Sequence, residues 1–276
     1  MPLKNPSKIQ NFYLLKLVAR FVINPSAYLF PKRFLTLADP ERAIVDRFIQ
    51  DIENASKNQL LLDAGAGNFR YREVLVQKGY SYQSQDFDEV FEKSSSGMHT
   101  YVCDIQSIPV ESNRYDVVIC TQVLEHVTNP QNVFIELARI LKPGGKIYLT
   151  TNFLFPIHGA PYDFYRFTHF GLHLLAKESS LTNIEISSRG GFFSLWAKLI
   201  YDFPAIMKAW LFYGGATLHG QRELSLKNPV LIIFVLPSIF FLDLFCTFCA
   251  GLIRLLDPID KRKRFTLGYQ LIATRE

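Results

Sequence analysis

Short apolar runs alternate along this chain with stretches whose apolar residues recur every three or four positions, a rhythm that predicts strands alternating with helices. Leu60-Leu61-Leu62, Tyr115 to Thr121 and Lys146 to Thr151 read as buried strands. Ser81 to Asp86 and Tyr101 to Ile105 read as further strands that run into an acid, and Thr182 to Ser188 and Phe265 to Thr274 as two more near the end. Ile44, Val45, Phe48, Ile49 and Ile52 form the stripe of a helix that Asp39 caps and Pro40 opens. A second stripe, Val133, Phe134, Leu137, Ile140 and Leu141, stops at the breaker Lys142-Pro143-Gly144-Gly145. Thr168 is the expected cap of a third helix, carrying Leu172, Leu175 and Leu181. Strands and helices alternating in this way predict an α/β domain.

One turn in this pattern carries chemistry. Leu60-Leu61-Leu62 closes on Asp63, and Gly65-Ala66-Gly67 then leads toward a helix. Glycines there let a ligand approach backbone N–H groups, because no Cβ stands in the way. A dinucleotide fingerprint needs a third small residue for helix–strand packing beside a pyrophosphate, and Arg70 stands at that position. A carboxylate at Asp63 suits a cationic amino-acid moiety better than phosphates. That points to S-adenosylmethionine, which carries an ammonium and a sulfonium and has no pyrophosphate. Asp86, ending the second strand, is placed to accept both ribose hydroxyls of a nucleoside. Asp104 is the candidate acceptor for the adenine amino group, with Ile105 covering the ring.

Asp63, Gly65, Gly67, Asp86, Asp104, Leu124-Glu125-His126-Val127 and Pro143-Gly144-Gly145 follow one another in a telling order. In these residues the chain resembles the class I S-adenosylmethionine-dependent methyltransferases, specifically the small-molecule group with a type 11-like domain. The resemblance covers roughly Gln59 to Gly190 and resumes at the C-terminus. It implies a Rossmann-like, seven-stranded, mostly parallel sheet with helices on both faces and an antiparallel last strand beside the fifth. It also implies a cofactor site in which Gly65 and Gly67 line the methionine part, Asp86 holds the ribose, and Asp104 and Ile105 hold the adenine; Asp63 and Thr121 are further candidate cofactor-binding residues.

Acceptor chemistry is expected in the loop from Asn152 to Thr168, which is long, aromatic and broken by Pro and Gly. Loops at the carboxyl ends of parallel strands are where open α/β sheets bind ligands. Tyr162, Tyr165 and Arg166 are the candidate substrate-binding side chains. His158, His126 and Asp163 are the candidate bases for a hydroxyl acceptor; carbon, nitrogen or sulfur acceptors need none. A plainer reading stands beside this one: Asp163 pairs with Arg166 to brace the loop, and each histidine packs or hydrogen-bonds.

Composition narrows the partners. The 276 residues, 49 % hydrophobic and 14 % aromatic, are enough for one large α/β domain with additions. A net charge of +5 without a spaced basic–aromatic pattern argues against nucleic acid. Cys103 and Cys120 fall in buried strands, and Cys246-x-x-Cys249 has no second pair or nearby histidine. Neither a disulfide framework nor a metal site is expected, and a cytoplasmic setting is. The first 38 residues hold six Lys/Arg and no acid. Leu14, Leu17, Val18, Phe21 and Val22 share one side of a helix there and Lys16 and Arg20 the other, and no small-residue cleavage site follows, so a basic amphipathic arm rather than a secretory signal is expected. It either lies on an anionic membrane surface or packs on the enzyme.

A hydrophobic helical insertion is expected before the last strand. Val230 to Ile253 is 24 residues long, with Asp243 its one charge and Pro237 inside it. That length crosses a bilayer. A single crossing would strand the last strand away from its sheet, so crossings number two or none. Lys198, Asp202 and Lys208 count against a partner span, and Asp243 is costly in lipid. Pro237 is the expected bend of a re-entrant or interfacial hairpin, flanked by Lys227, Arg254 and Lys261-Arg262-Lys263-Arg264. Peripheral attachment at the cytoplasmic face of a membrane, a helical subdomain and a dimer interface are the open readings, and the basic flanks favour the first. The resulting order is an arm at 1–38, a cofactor-binding core at 39–191, an insertion at 192–264 and the last core strand at 265–276. The expected activity is methyl transfer to a small-molecule or lipid-linked acceptor. The rival is a non-catalytic scaffold of the same fold that uses the insertion for attachment.

Overall fold

The computed structural model describes residues 24–87, 99–213 and 229–276; the arm helix expected before Ile23, and Lys227, lie outside them. Helices α1 (Ser26–Leu29), α2 (Lys32–Ala38) and α3 (Pro40–Gln50) precede β1 (Leu60–Ala64). Then come α4 (Arg72–Gln77), β2 (Ser81–Asp86), β3 (Tyr101–Val102), β4 (Tyr115–Thr121), α5 (Pro130–Ile140) and β5 (Leu141–Asn152). The chain finishes with α6 (His169–Lys177), β6 (Leu181–Arg189), α7 (Phe192–Tyr213), α8 (Pro229–Arg254) and β7 (Gly268–Arg275). The strands form one seven-stranded sheet in the order β3-β2-β1-β4-β5-β7-β6. β1 to β5 run parallel, and β7 lies antiparallel between β5 and β6. This is the Rossmann-like sheet that the strand pattern and the resemblance implied, with its last strand inserted beside the fifth.

The alternation of side chains across the strands builds two cores, one on each face. Val118 and Cys120 of β4 meet Phe134 and Leu137 of α5 and Leu172 of α6. Val117 and Ile119 meet Phe48 and Ile49 of α3 and Leu75 of α4. Strands covered on both faces read as unbroken apolar runs, which is why Leu60-Leu61-Leu62 stands out in the sequence. α5 starts at Asn129, whose side chain accepts from the Asn132 N–H at 3.3 Å, with Pro130 in the first turn. α6 starts at Thr168, whose hydroxyl accepts from the Gly171 N–H at 3.1 Å, as its sequence predicts.

Three local details differ from the pattern. β3 ends at Val102 because Asp104 accepts from the Gln106 N–H at 2.9 Å and turns the chain. Leu181 opens β6 instead of extending the α6 stripe, since that helix ends at Lys177 and Ser180 takes a φ of 56°. Lys142-Pro143-Gly144-Gly145 is drawn into β5 as an irregular edge, where Lys142 Nζ donates to Asp116 at 2.8 Å.

The chain divides into two compact units, residues 44–191 with 263–276, and residues 192–262 with those up to 43. The second is helical. α7 and α8 pack on each other, and α8 continues as helix past Pro237, so the chain does not reverse into a hairpin at that residue. Phe34 of α2 stacks on Phe248 of α8 at 6.2 Å, and a side chain at Gly251 would overlap the Phe34 ring. Inside this unit Asp243 accepts from the Ser26 N–H at 3.0 Å and lies 3.5 Å from Lys208 Nζ, which donates to Asn24 at 2.7 Å. Lys198 faces Asp39, Glu41 and Asp202 at 3.6, 3.5 and 2.9 Å.

Candidate active site

The strand order reverses between β1 and β4, and open α/β sheets bind ligands outside the carboxyl ends of strands at such a point. Gly65 and Gly67 take φ values of 74° and 50°, left-handed backbone that favours glycine. A side chain at Gly65 would also overlap Val123, just past β4. The turn is tied to β2: Gly65 and Ala66 N–H donate to the Gln85 carbonyl at 2.9 and 3.0 Å, and Gly67 N–H to Asp86 Oδ2 at 2.6 Å. The second Asp86 oxygen accepts from the Phe87 N–H at 2.8 Å. Gln85, which sequence reasoning passed over, also donates to the Cys103 carbonyl at 2.6 Å and so joins this turn to the end of β3.

Asp63 is 1 % exposed. The Tyr82 hydroxyl donates to its Oδ2 at 2.8 Å, while Oδ1 has no hydrogen-bond partner among the described residues. Burial lifts its pKa to about 7, against the Tyr82 hydrogen bond that lowers it, and nearby Asp86 adds to the rise. Thr121 ends β4 half-buried. Asp104 is exposed, and Ile105 is buried in the larger core. Arg70, the bulky residue of the turn, leaves the strand–helix junction and grips Asp46 of α3 through two hydrogen bonds of 3.0 and 2.8 Å.

The acceptor loop is organised around Glu125. This residue sits in a single helical turn, Leu124–His126, and is fully buried. Its carboxylate accepts from Thr151 Oγ1 and Asn152 Nδ2, both at 2.9 Å. Its backbone carbonyl accepts from the Phe164 and Tyr165 N–H groups at 2.9 and 3.3 Å, which pins the loop. Asn152 Oδ1 in turn accepts from Arg189 Nη2 at 2.8 Å. Arg189, 1 % exposed on β6, therefore faces the buried Glu125 charge through one amide. Gly268 leaves room for that guanidinium, since a Cβ there would overlap it and the Thr151 carbonyl. Nothing local marks Arg189 in the sequence as a buried residue.

Asp163 and Arg166 brace the loop. Arg166 donates to both Asp163 oxygens, at 2.6 and 2.8 Å, and to the Pro156 carbonyl at 3.0 Å. These hydrogen bonds hold the Asp163 carboxyl down at about 2. A carboxylate so weakly basic is a poor proton acceptor, and the guanidinium beside it is spent on the loop itself. His126 and His158 come together, ring centroids 4.7 Å apart. His126 Nδ1 lies 2.5 Å from the Tyr162 carbonyl, and His158 Nδ1 3.2 Å from the Pro156 carbonyl. A carbonyl only accepts, so Nδ1 is the donor in each contact, and in the neutral ring the lone pair then sits on Nε2. Tyr162 and Tyr165 are exposed at the loop surface, with the Tyr165 hydroxyl donating to the Thr128 carbonyl at 3.0 Å. Among the described residues, Glu125, His126 and His158 bring ligand-type atoms within 4.8 Å of one another. Both Glu125 oxygens and both Nδ1 atoms also make hydrogen bonds.

Residues 62–149 match a sequence family described as a methyltransferase domain. The ubiquinone biosynthesis O-methyltransferase of Bordetella avium (strain 197N) is 31% identical over 42% of this chain and 54% of its own length. That of Coxiella burnetii (strain Dugway 5J108-111) is 30% identical over 39% of this chain and 52% of its own. The chain thus spans about half the length of the curated relatives it matches. Among solved structures, the [4+2]-cyclase SpnF has a TM-score of 0.50 at 16% identity, covering 85% of this chain and 80% of that one. At such identity the likeness is one of fold.

Proposed function

We propose that the core of this chain is a class I S-adenosylmethionine-dependent methyltransferase domain that transfers a methyl group to a hydroxyl oxygen of a hydrophobic small-molecule or lipid-linked acceptor. When bound, S-adenosylmethionine supplies the methyl group as a sulfonium substituent. The observation that carries the reading is the β1 turn: two left-handed glycines and a buried carboxylate whose Oδ1 has no hydrogen-bond partner among the described residues. An ammonium group answers that oxygen's need. Asp86 has lone pairs for ribose hydroxyls and Asp104 for an exocyclic amine. The oxygen acceptor is supported by the relatives' description as O-methyltransferases and by the two neighbouring histidines, which offer imidazole nitrogens as candidate bases. Such a base contributes on the order of 10²–10⁴-fold, with the remainder from orientation. Glu125, Arg189, Asp163 and Arg166 hold the loop in place. Phe164, exposed beside Tyr162 and Tyr165, gives that loop an apolar surface suited to a hydrophobic acceptor. The cytoplasmic face of a membrane is the setting we assign, on the strength of the apolar helical unit and the free cysteines.

Calorimetric titration with S-adenosylhomocysteine tests the cofactor half. Asp86→Ala is expected to weaken binding by about tenfold or more. Affinity should rise between about pH 6 and pH 8, because Asp63 must be ionised to meet an ammonium and its pKa is raised to about 7. A well-folded protein that does not bind would replace the enzyme by a scaffold of the same fold.

A further inference from the structure

The helical unit turns its apolar residues outward. Every exposed residue of α7 with a described side chain is apolar, and Trp196, Leu199, Phe203, Ile206 and Trp210 recur at the spacing of one helix face. On α8 the exposed residues are apolar except Ser238, with Phe241, Phe245, Phe248 and Leu252 spaced the same way. The charges of these helices go inward: Lys198, Asp202, Lys208 and Asp243 are buried or half-buried and paired inside the unit. Among the described residues of the unit, the exposed charged side chains are Lys32, Arg33, Arg42, Lys261 and Arg262, all basic, while every acid is buried or half-buried. The apolar window Pro237–Ile259 is only 33% buried, far from the state of a soluble core helix.

An exposed apolar face of this size needs an occupant. A second copy would cover it but would bring two basic rims together. An anionic lipid surface satisfies both the apolar face and the positive rim. β7 pairs with β5 and β6 in one sheet, so both ends of the insertion return to it. Among the described helices, one window alone is long and apolar enough to cross a membrane, and a lone crossing would part those ends. We propose that the α7/α8 face beds into the headgroup–acyl boundary of an anionic bilayer without crossing it. This rests on the membrane-surface reading above and names the contact that makes it.

The chain's two tryptophans, Trp196 and Trp210, both lie on that face, so its own fluorescence reports the contact. The full-length protein would be mixed with vesicles of phosphatidylcholine, alone or with phosphatidylglycerol. The expected result is a blue-shifted emission, quenched by brominated acyl chains, that appears with the anionic vesicles and weakens with salt. The double variant Phe203→Asp/Phe245→Asp should lower vesicle partitioning by more than about tenfold while leaving S-adenosylhomocysteine binding unchanged. Flotation with anionic vesicles but unshifted tryptophans would keep the membrane-surface reading and overturn this face. A dimer in buffer that shields both tryptophans and ignores vesicles would give the face to a second copy. Cofactor binding, measured without vesicles, stands or falls separately.

Discussion

The two units of this chain treat charge in opposite ways. In the sheet unit the deepest side chains are apolar, with Leu62, Ile119 and Phe134 fully buried, and Asp86 and Asp104 sit at strand ends. In the helical unit Asp243 and Lys208 are 7% and 9% exposed, while Trp210 and Phe241 are 69% and 68% exposed. Apolar surface is driven out of water wherever another medium receives it. The sheet unit finds that medium in its own interior; the helical unit seats charge pairs beside a small apolar core of Ala38, Ala197 and Ala250 and also turns an apolar face outward. The exceptions in the sheet unit teach as much. Asp63, Glu125 and Arg189 are buried charged groups at the candidate site, where burial and pairing tune chemistry or hold a loop, while Glu136 of α5 is buried away from it against Arg139.

The sharpest way to break this contrast is to make one substitution in both units. Phe134→Ala should cost about 3–5 kcal/mol, read as a lower denaturant midpoint, because it empties a packed site. Phe241→Ala in buffer should stay within about 0.5 kcal/mol; a loss as large as at Phe134 would mean that the exposed face is a packed core. Charge comes next. Lys208→Met should cost about 3–5 kcal/mol by leaving the buried Asp243 without its cationic neighbour, and adding Asp243→Leu should recover most of that. No recovery would mean that the pair does not act as a unit. A smaller loss than at Phe134 or Lys208 belongs to the loop brace. Asp163 is held at about 2, below its ordinary 3.8. Its contribution of about 2 kcal/mol is complete above about pH 4 and disappears as the pH falls toward 2. Asp163→Asn should therefore be less stable than the parent at neutral pH, with the gap closing in acid. A gap independent of pH would point to lost packing rather than lost charge.

Features that depend on neighbours in the chain were legible in the sequence. The buried strands, the glycine turn after Asp63, the Thr168 cap and the two stripes at Ile44 to Ile52 and Val133 to Ile140 all follow from local composition and period, because backbone sterics and burial act over a few residues. The antiparallel place of β7 came from the resemblance rather than from spacing. The boundaries that slipped, at Val102 and Leu181, turn on single side chains or dihedrals that compete with the period.

What only the tertiary structure decided are partnerships across long stretches of chain. Arg70 looks like a misfit until Asp46 of α3 receives it. Arg189 reaches Asn152 because β7 separates β5 from β6 by one strand. Pro237 fails to break α8, and Asp243 finds Ser26 from the far end of the sequence. Sequence by itself determined the α/β domain, its cofactor turn and the presence of an apolar insertion, since each is written in local pattern. Which charges pair, and which face of the insertion turns outward, depended on contacts between distant residues, because a charge or an apolar stripe has no preferred partner until the fold brings one within a few ångströms.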